Sequence, residues 1–470
     1  MAARWDSLPP EKTLFALVTG ANSGIGFGIC QRLIDEFIAS RSLDSHLILI
    51  PTARSSKKSE DTVNALRRYA ARRAESSKTL KSRLGPGYEA SETTRRIHLL
   101  SVQLDLCNFP SIKKAADQLV NGTLTSPCED DFFRPLADVR IPRLDAVILN
   151  AGIGGWSGLD WAGLAHNVFT GGVVQACTFP TFKAGIRGLT VNPIPKPADD
   201  KTTPTLGEVF CANVFGHYLF THAILPLLSR EPSSTAPPPG RIIWESSVEP
   251  TWHNLSLADF QGVKTKAAYE SSKRLTDVLA LTSSLPSVKP YSLAYLSPPS
   301  SPKDRLPPTP PKIYLAHPGV VVSTIFPLNA FLFFWYRLAM YLSRLLGSPW
   351  HTVTAYKGAC AMVWLALAGE DELASQGGGQ NVKWGSSCDR WGTTGVKKTE
   401  VEGWGWEGKV EDRDALVADE STGVLRKMVG RRADAVDLTE EKRAQFEELG
   451  VECWREMERL RGEWEGRMDF

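Results

Sequence analysis

Apolar and polar positions along the chain follow two regimes. Short, almost uninterrupted apolar runs, such as Leu14 to Val18 and Ala146 to Leu149, have the length and composition of strands buried on both faces. Between them lie longer stretches with apolar residues three and four apart, the spacing of amphipathic helices. The pattern predicts strands near 13–19, 46–53, 97–104, 144–150, 241–247, 312–317 and 380–384. It predicts helices near 24–39, 58–74, 109–121, 206–229, 266–284, 326–346 and 352–368. Such alternation builds one α/β domain over residues 1–385, swollen by insertions near 75–96, 153–205, 229–240 and 285–312. The second insertion is rich in glycine and aromatics and follows the fourth strand, at the expected mouth of a site. The last is proline-rich, so its backbone is expected to be neither helix nor central strand and to run over the surface. Residues 386–470 form a charged, tryptophan-containing extension with helical patterning near 438–465.

Composition changes this picture little. Hydrophobic residues make up 42% and charged residues 23%, as in soluble globular proteins, and a net charge of +2 gives no indication of nucleic acid as a partner. The eight cysteines (Cys30, Cys107, Cys128, Cys177, Cys211, Cys360, Cys388 and Cys453) show no Cys-x-x-Cys and no accompanying histidine cluster. They are expected to be reduced packing thiols of a cytosol-facing protein, with no metal site. Met1 to Lys12 is short and polar, so no secretory signal is expected there.

Two segments carry chemistry. Thr19-Gly20-Ala21-Asn22-Ser23-Gly24-Ile25-Gly26 joins the first strand to the first helix. A glycine-rich turn there lets backbone N–H groups approach a pyrophosphate, and the helix N-terminus adds partial positive charge. In Tyr269-Glu270-Ser271-Ser272-Lys273, a helix places Tyr269 and Lys273 one turn apart on the same face. There the ammonium can favour the phenolate and lower the tyrosine pKa from about 10 toward a range useful for proton transfer. Alone, each pattern is common; in this order they reinforce one another.

With both motifs in place, the chain resembles the short-chain dehydrogenase/reductase family. Four more segments match in order: Asp105 after the third strand, Asn150-Ala151-Gly152 after the fourth, Ser246-Ser247 after the fifth and Pro318-Gly319 after the sixth. The resemblance implies a doubly wound parallel sheet, the Rossmann fold, with helices on both faces. It implies that Gly20, Asn22, Ser23, Gly24, Ile25, Gly26, Asp105, Asn150, Ala151, Gly152, Pro318, Gly319, Val321, Ser323 and Thr324 hold a nicotinamide cofactor, together with Tyr269 and Lys273. Tyr269 would be the general acid, Lys273 its support, and Ser247 the hydroxyl that orients the carbonyl, with Ser246 as the alternative. Asn213 matches the family asparagine that helps hold a proton-relay water; locally satisfied helix hydrogen bonds are the other reading. His217 and His317 are expected to be packed side chains. The Ser247-to-Tyr269 separation exceeds the family's usual spacing and implies an inserted loop, Pro250 to Lys266, beside the site.

The end of the second strand selects the nucleotide. An acid there binds a ribose 2′-hydroxyl, whereas a base accommodates a 2′-phosphate. This chain has Arg54-Ser55-Ser56-Lys57-Lys58 and no acid before Glu60. Arg54 can grip a phosphate bidentately, so NADP(H) is expected, and with it a reductase. Lys57 and Lys58 read equally well as the solvated start of a helix.

Within the family, Arg241 to Ser247, the inserted Leu257-Ala258-Asp259-Phe260-Gln261, and Leu346 to Val353 followed by Tyr356-Lys357-Gly358-Ala359 are similar to the 3-keto-steroid reductases of sterol C-4 demethylation, the fungal branch in particular. That resemblance implies reduction of a 3-keto sterol in ergosterol biosynthesis, with other C-4 demethylation enzymes as possible partners. It also implies a place on the cytosolic face of the endoplasmic reticulum or a lipid droplet. Other apolar carbonyls (retinoid, acyl or polyketide) and a non-catalytic NADP-binding scaffold are the alternatives. The aromatic run Phe326 to Tyr336, inside the apolar segment 326–346, reads either as an interfacial helix with Arg337 and Arg344 snorkelling or as a buried core helix.

Overall fold

Strand β1 (Thr13–Val18) is buried along its whole length, and its side chains divide by alternation. Phe15 and Leu17 enter one hydrophobic cluster, while Leu14, Ala16 and Val18 enter another on the opposite face. The computed structural model describes residues 5–85, 87–127, 136–194, 204–233, 236–298, 307–323, 328–376, 379–410 and 430–468. Twelve further strands follow β1: β2 (His46–Ala53), β3 (Ile97–Leu99), β4 (Val102–Gln103), β5 (Ala146–Leu149), β6 (Trp156–Leu159), β7 (Lys183–Gly185), β8 (Thr190–Val191), β9 (Leu206–Gly207), β10 (Arg241–Glu245), β11 (Lys312–His317), β12 (Lys383–Cys388) and β13 (Thr394–Thr399). The central sheet has the order β13-β12-β11-β10-β5-β1-β2-β3, with β4 also beside β2. Every pairing in it is parallel except β12 with β13. Helices cover both faces, and the strand order reverses next to β1. In open sheets of this kind the crevice beyond the carboxyl ends of the strands at that reversal is where ligands bind.

The predicted strand over 97–104 is split in two. Pro51 of β2 has no N–H for the ladder, the pairing lapses there, and the Ser101 hydroxyl donates to Pro51 O instead (3.0 Å). The predicted helix 206–229 begins with β9 and then runs Glu208–Phe210, π-helical Cys211–Phe215 and Gly216–Ala223 before Leu225–Leu228. The expectation that 285–312 holds no helix needs correcting, because Lys289–Tyr295 is helical. Pro290 falls in its first turn, where a missing N–H costs nothing.

The larger departure is the extension. Strand β12 runs through residue 385, β13 adds an antiparallel edge, and helix Glu440–Met468 packs on helix Ala268–Thr282. Phe446, Cys453, Trp454, Met457, Leu460 and Trp464 of that helix are buried in the same cluster as Phe15 and Leu17. Among the described residues past 385, β13 and helix Glu440–Met468 are therefore structural parts of the domain.

Candidate active site

A cleft of about 1140 Å³ opens at the carboxyl ends of β1, β2, β5, β10 and β11. Gly20, Asn22, Ser23, Gly24 and Ile25 line it from the first turn, with Arg54 after β2, Asp105 beyond β4 and Asn150, Ala151 and Gly152 after β5. Ser246 and Ser247 after β10 join them, with Tyr269 and Lys273 from helix Ala268–Thr282, and Pro318, Gly319, Val321 and Ser323 after β11. Gly26 and Asn213 lie behind this lining, and Thr324 lies outside the described residues.

The first turn is tied to the fourth. The Thr19 hydroxyl accepts from the N–H of Asn150 (2.9 Å) and Ala151 (3.0 Å), and Asn150 Nδ2 donates to Thr19 O (2.8 Å). A Cβ on Gly26 would come within 2.5 Å of both Asn150 Nδ2 and Gly20 O, so only glycine lets the helix start this close to the turn. Arg54 is exposed beside the N-terminus of helix Ser56–Ser76, whose cap is the Ser55 hydroxyl, and has no ion pair with any described residue. A free guanidinium next to unpaired helix N–H groups is the donor set a ribose 2′-phosphate needs. Together with the glycine turn, these residues fit a dinucleotide carrying that phosphate.

The two candidate serines have different surroundings. Ser246 Oγ donates to Asp277 Oδ1 (2.5 Å), and Asp277 in turn pairs with buried Lys383 (2.7 Å). Ser247 Oγ accepts the N–H of Glu249 (3.3 Å) and is hydrogen-bonded to the Tyr269 phenol. Buried Lys273 directs its ammonium at Glu245 O (2.7 Å) and stands 5.7 Å from the Tyr269 ring centre. The lowered tyrosine pKa expected from Lys273 is absent. Burial pushes the phenol well above its usual range, Glu249 and Glu245 add to this, and the Ser247 hydrogen bond pulls the other way. Burial also raises the Glu245 carboxyl, to about 8, against the opposing pull of Lys273.

Asn213 lies in the π-helical segment and has no side-chain group left for the cleft. Its Oδ1 accepts from Ile153 N (2.8 Å), and its Nδ2 donates to Ile153 O (3.0 Å) and Ser272 Oγ (3.0 Å). His217 is buried between Thr19 (2.9 Å) and Asn213 O (3.2 Å), and burial lowers its pKa to about 3. His317 is buried against Thr399 (2.8 Å) and the N–H of Gly319 (3.0 Å).

The insertion 153–205 supplies a wall that the motifs did not indicate. Strands β6 and β7 form an antiparallel pair, joined through a helix, that sets the Trp156 ring 4.8 Å from Tyr269 and brings Lys183 onto Glu249 and Glu270. Helix Trp161–Thr178 follows β6 and packs against helix Ala330–Leu345. Between them, Trp161, Leu164, Phe182, Leu332, Trp335, Tyr336 and Met340 make the outer cleft apolar. The outer face of helix Ala330–Leu345 is exposed and apolar at Phe331 (70%), Phe334 (61%), Leu338 (48%) and Leu345 (53%), so it is not a buried core helix. No helix among the described residues is long and apolar enough to cross a membrane, and none of their side chains form a metal-binding cluster.

No protein-family profile matches the chain. Among solved structures, 3-oxoacyl-[acyl-carrier protein] reductase from Brucella melitensis in complex with NAD is similar at a TM-score of 0.37 and 15% identity, over 77% of this chain and 92% of that one. The 3-keto-steroid reductase of Gibberella zeae is 48% identical over 465 residues, 98% of this chain and 96% of that protein. The corresponding protein of Aspergillus fumigatus is 41% identical over 467 residues, 97% of this chain and 95% of its own. Similarity at that level over nearly the whole length, on a chain whose parallel sheet gathers the expected motifs into one cleft, means that the protein belongs to the 3-keto-steroid reductase family.

Proposed function

We propose that the protein reduces the 3-keto group of a sterol intermediate to the 3β-hydroxyl, with NADPH, in ergosterol biosynthesis. The observation that carries this reading is the convergence of Ser247, Tyr269 and Lys273 at the inner end of a cleft whose outer part is apolar. NADPH, when bound, supplies the hydride. Gly20 to Ile25, Asn150 to Gly152 and Pro318 to Ser323 hold it, and Arg54 takes the 2′-phosphate, which favours NADPH over NADH. The Ser247 hydroxyl orients the substrate carbonyl and hydrogen-bonds its oxygen as negative charge builds there. Tyr269 then gives its proton to that oxygen. A raised phenol pKa keeps the proton in place at neutral pH until the oxygen becomes basic enough to take it. Lys273 steadies the tyrosinate that remains. Asn213 fixes the start of the Ile153 segment against the catalytic helix.

The rings of the sterol would lie between helices Trp161–Thr178 and Ala330–Leu345, while the exposed apolar face of the second helix supports docking on the cytosolic surface of the endoplasmic reticulum or a lipid droplet, alongside the other C-4 demethylation enzymes. Tyr269→Phe tests the chemistry. It removes only the proton-donating hydroxyl, so kcat should fall at least about 100-fold while NADPH affinity stays within about twofold. A variant that turns over near the wild-type rate would remove Tyr269 from the role of acid.

A further inference from the structure

Lys183 lies on β7, far from the catalytic motifs in sequence, yet its ammonium sits at the centre of a charged cluster around Tyr269. It pairs with Glu249 and, at 2.7 Å, with Glu270, and its side chain is only 7% exposed. The same Nζ lies 4.2 Å from the Trp156 ring centre and 5.1 Å from that of Tyr269. The β6–β7 pair is held where it must be for this. A Cβ on Gly185 would meet Lys266 O at 1.7 Å, and the Gly188 N–H donates to Val263 O (2.8 Å), so the two insertions interlock beside the site.

Five charged or titratable groups bear on the Tyr269 phenol. Glu245 comes from the end of β10, Glu249 from the loop after it, Glu270 and Lys273 from the catalytic helix, and Lys183 from β7. Arg432 and Tyr336 face Glu249 from their own segments. Without Lys183, Glu249 and Glu270 would lose their ion pair and face the phenol alongside Glu245, with Lys273 as the cation left beside it. Glu249 would also be released, and its N–H is the donor to Ser247 Oγ. Burial works against the Lys183 charge, but Glu249 and Glu270 more than offset it, so its pKa is raised and it is cationic at neutral pH.

We propose that Lys183 is a positioning residue for proton transfer: it ties Glu249 to Glu270 across Tyr269, cancels their charge on the phenol and keeps Ser247 in register with it. This rests on Tyr269 being the proton donor.

The test follows the deprotonated tyrosine, which the reverse reaction requires. The pH profile of NADP⁺-dependent oxidation of the 3β-hydroxysterol is compared for wild type, Lys183→Met, Lys183→Arg and Lys183→Met/Glu249→Gln. Tyrosinate formation in each NADP⁺ complex is followed in parallel by ultraviolet difference spectra, with Tyr269→Phe as blank. Lys183→Met should move the acid limb and the tyrosinate signal alkaline by about one pH unit, a tenfold change in the tyrosinate fraction. Lys183→Arg should stay near wild type, and the double variant should return most of the shift. Glu249→Gln and Glu270→Gln alone, with Lys183 retained, should shift both readouts toward acid, which keeps the test decisive if Lys183→Met does not fold. Unmoved profiles in Lys183→Met or, failing that, in both glutamine variants would make Lys183 a structural tie only and overturn the proposal. Retained activity in Tyr269→Phe would instead overturn the proposed chemistry on which it rests.

Discussion

At the scale of single residues, Arg54 offers the sharpest prediction. Its guanidinium is exposed, unpaired among the described residues and next to a helix N-terminus. Arg54→Asp should reverse the local charge, repelling a 2′-phosphate while accepting a hydrogen bond from a free ribose hydroxyl. Losing one charge-assisted hydrogen bond costs about 1.5–3 kcal/mol, so the ratio of kcat/KM for NADPH over NADH should fall about 10- to 100-fold. An unchanged ratio would pass the role to Ser55, Lys57 or Lys58. Motif residues of this kind were legible in the sequence because each sits at a strand end, where the parallel sheet collects them. The environment of Tyr269 was not. Tyr269 and Lys273 do share a helix face, but the charges of Glu249, Glu245 and Lys183 reach the phenol across gaps of 20 to 86 residues in sequence, and no local spacing encodes them. The tie of Ser246 to Asp277, 31 residues on, is likewise encoded by no local spacing.

At the scale of elements, the strands and helices of the parallel sheet follow the hydrophobic pattern closely, since burial on both faces leaves near-continuous apolar runs. Elements with weaker patterns were missed. Strands β6 and β7 are short and mostly of intermediate exposure, and helix Trp161–Thr178 mixes apolar residues with His166, Asn167 and Gln175 and is broken at Gly172. Helix Glu440–Met468 was visible as a pattern, but its role was not. Its charged face forms a row of Arg–Glu pairs (Arg455–Glu452, Arg459–Glu456, Arg467–Glu463), the look of a solvated appendage, whereas its other face fills the core. Trp454 is buried and donates to Leu279 O (3.1 Å) on the catalytic helix. Trp454→Ala should therefore cost about 3–5 kcal/mol of stability, the range for emptying a core tryptophan site, and should lower the thermal midpoint well below that of wild type. A midpoint within a degree or so of wild type would mean that the helix is not integral to the fold.

At the scale of the whole molecule, exposed apolar groups gather at the mouth of the cleft. Phe331, Phe334 and Leu338 of helix Ala330–Leu345 are exposed, as are Trp161 and Phe169 of the helix packed against it, and Arg337 interrupts the face as a residue able to snorkel. Each phenylalanine that leaves water on docking contributes about 1.5–3 kcal/mol. Phe331→Ser/Phe334→Ser should weaken liposome binding at least about tenfold and raise KM for a membrane-presented sterol more than for a small soluble ketone. Because both side chains point outward, NADPH affinity and thermal stability should hold. Liposome flotation equal to wild type would instead favour an enzyme that meets its substrate away from a membrane. The central claim is tested most directly by incubating the purified full chain with NADPH and a panel of apolar ketones: a 3-keto-4-methyl sterol, a retinal, a 3-oxoacyl thioester and a polyketide ketone. Consumption of NADPH matched mole for mole by the 3β-hydroxy sterol, with kcat/KM for that ketone well above the others, is the predicted result; no turnover of the sterol, or efficient reduction of a different ketone in its place, would contradict it.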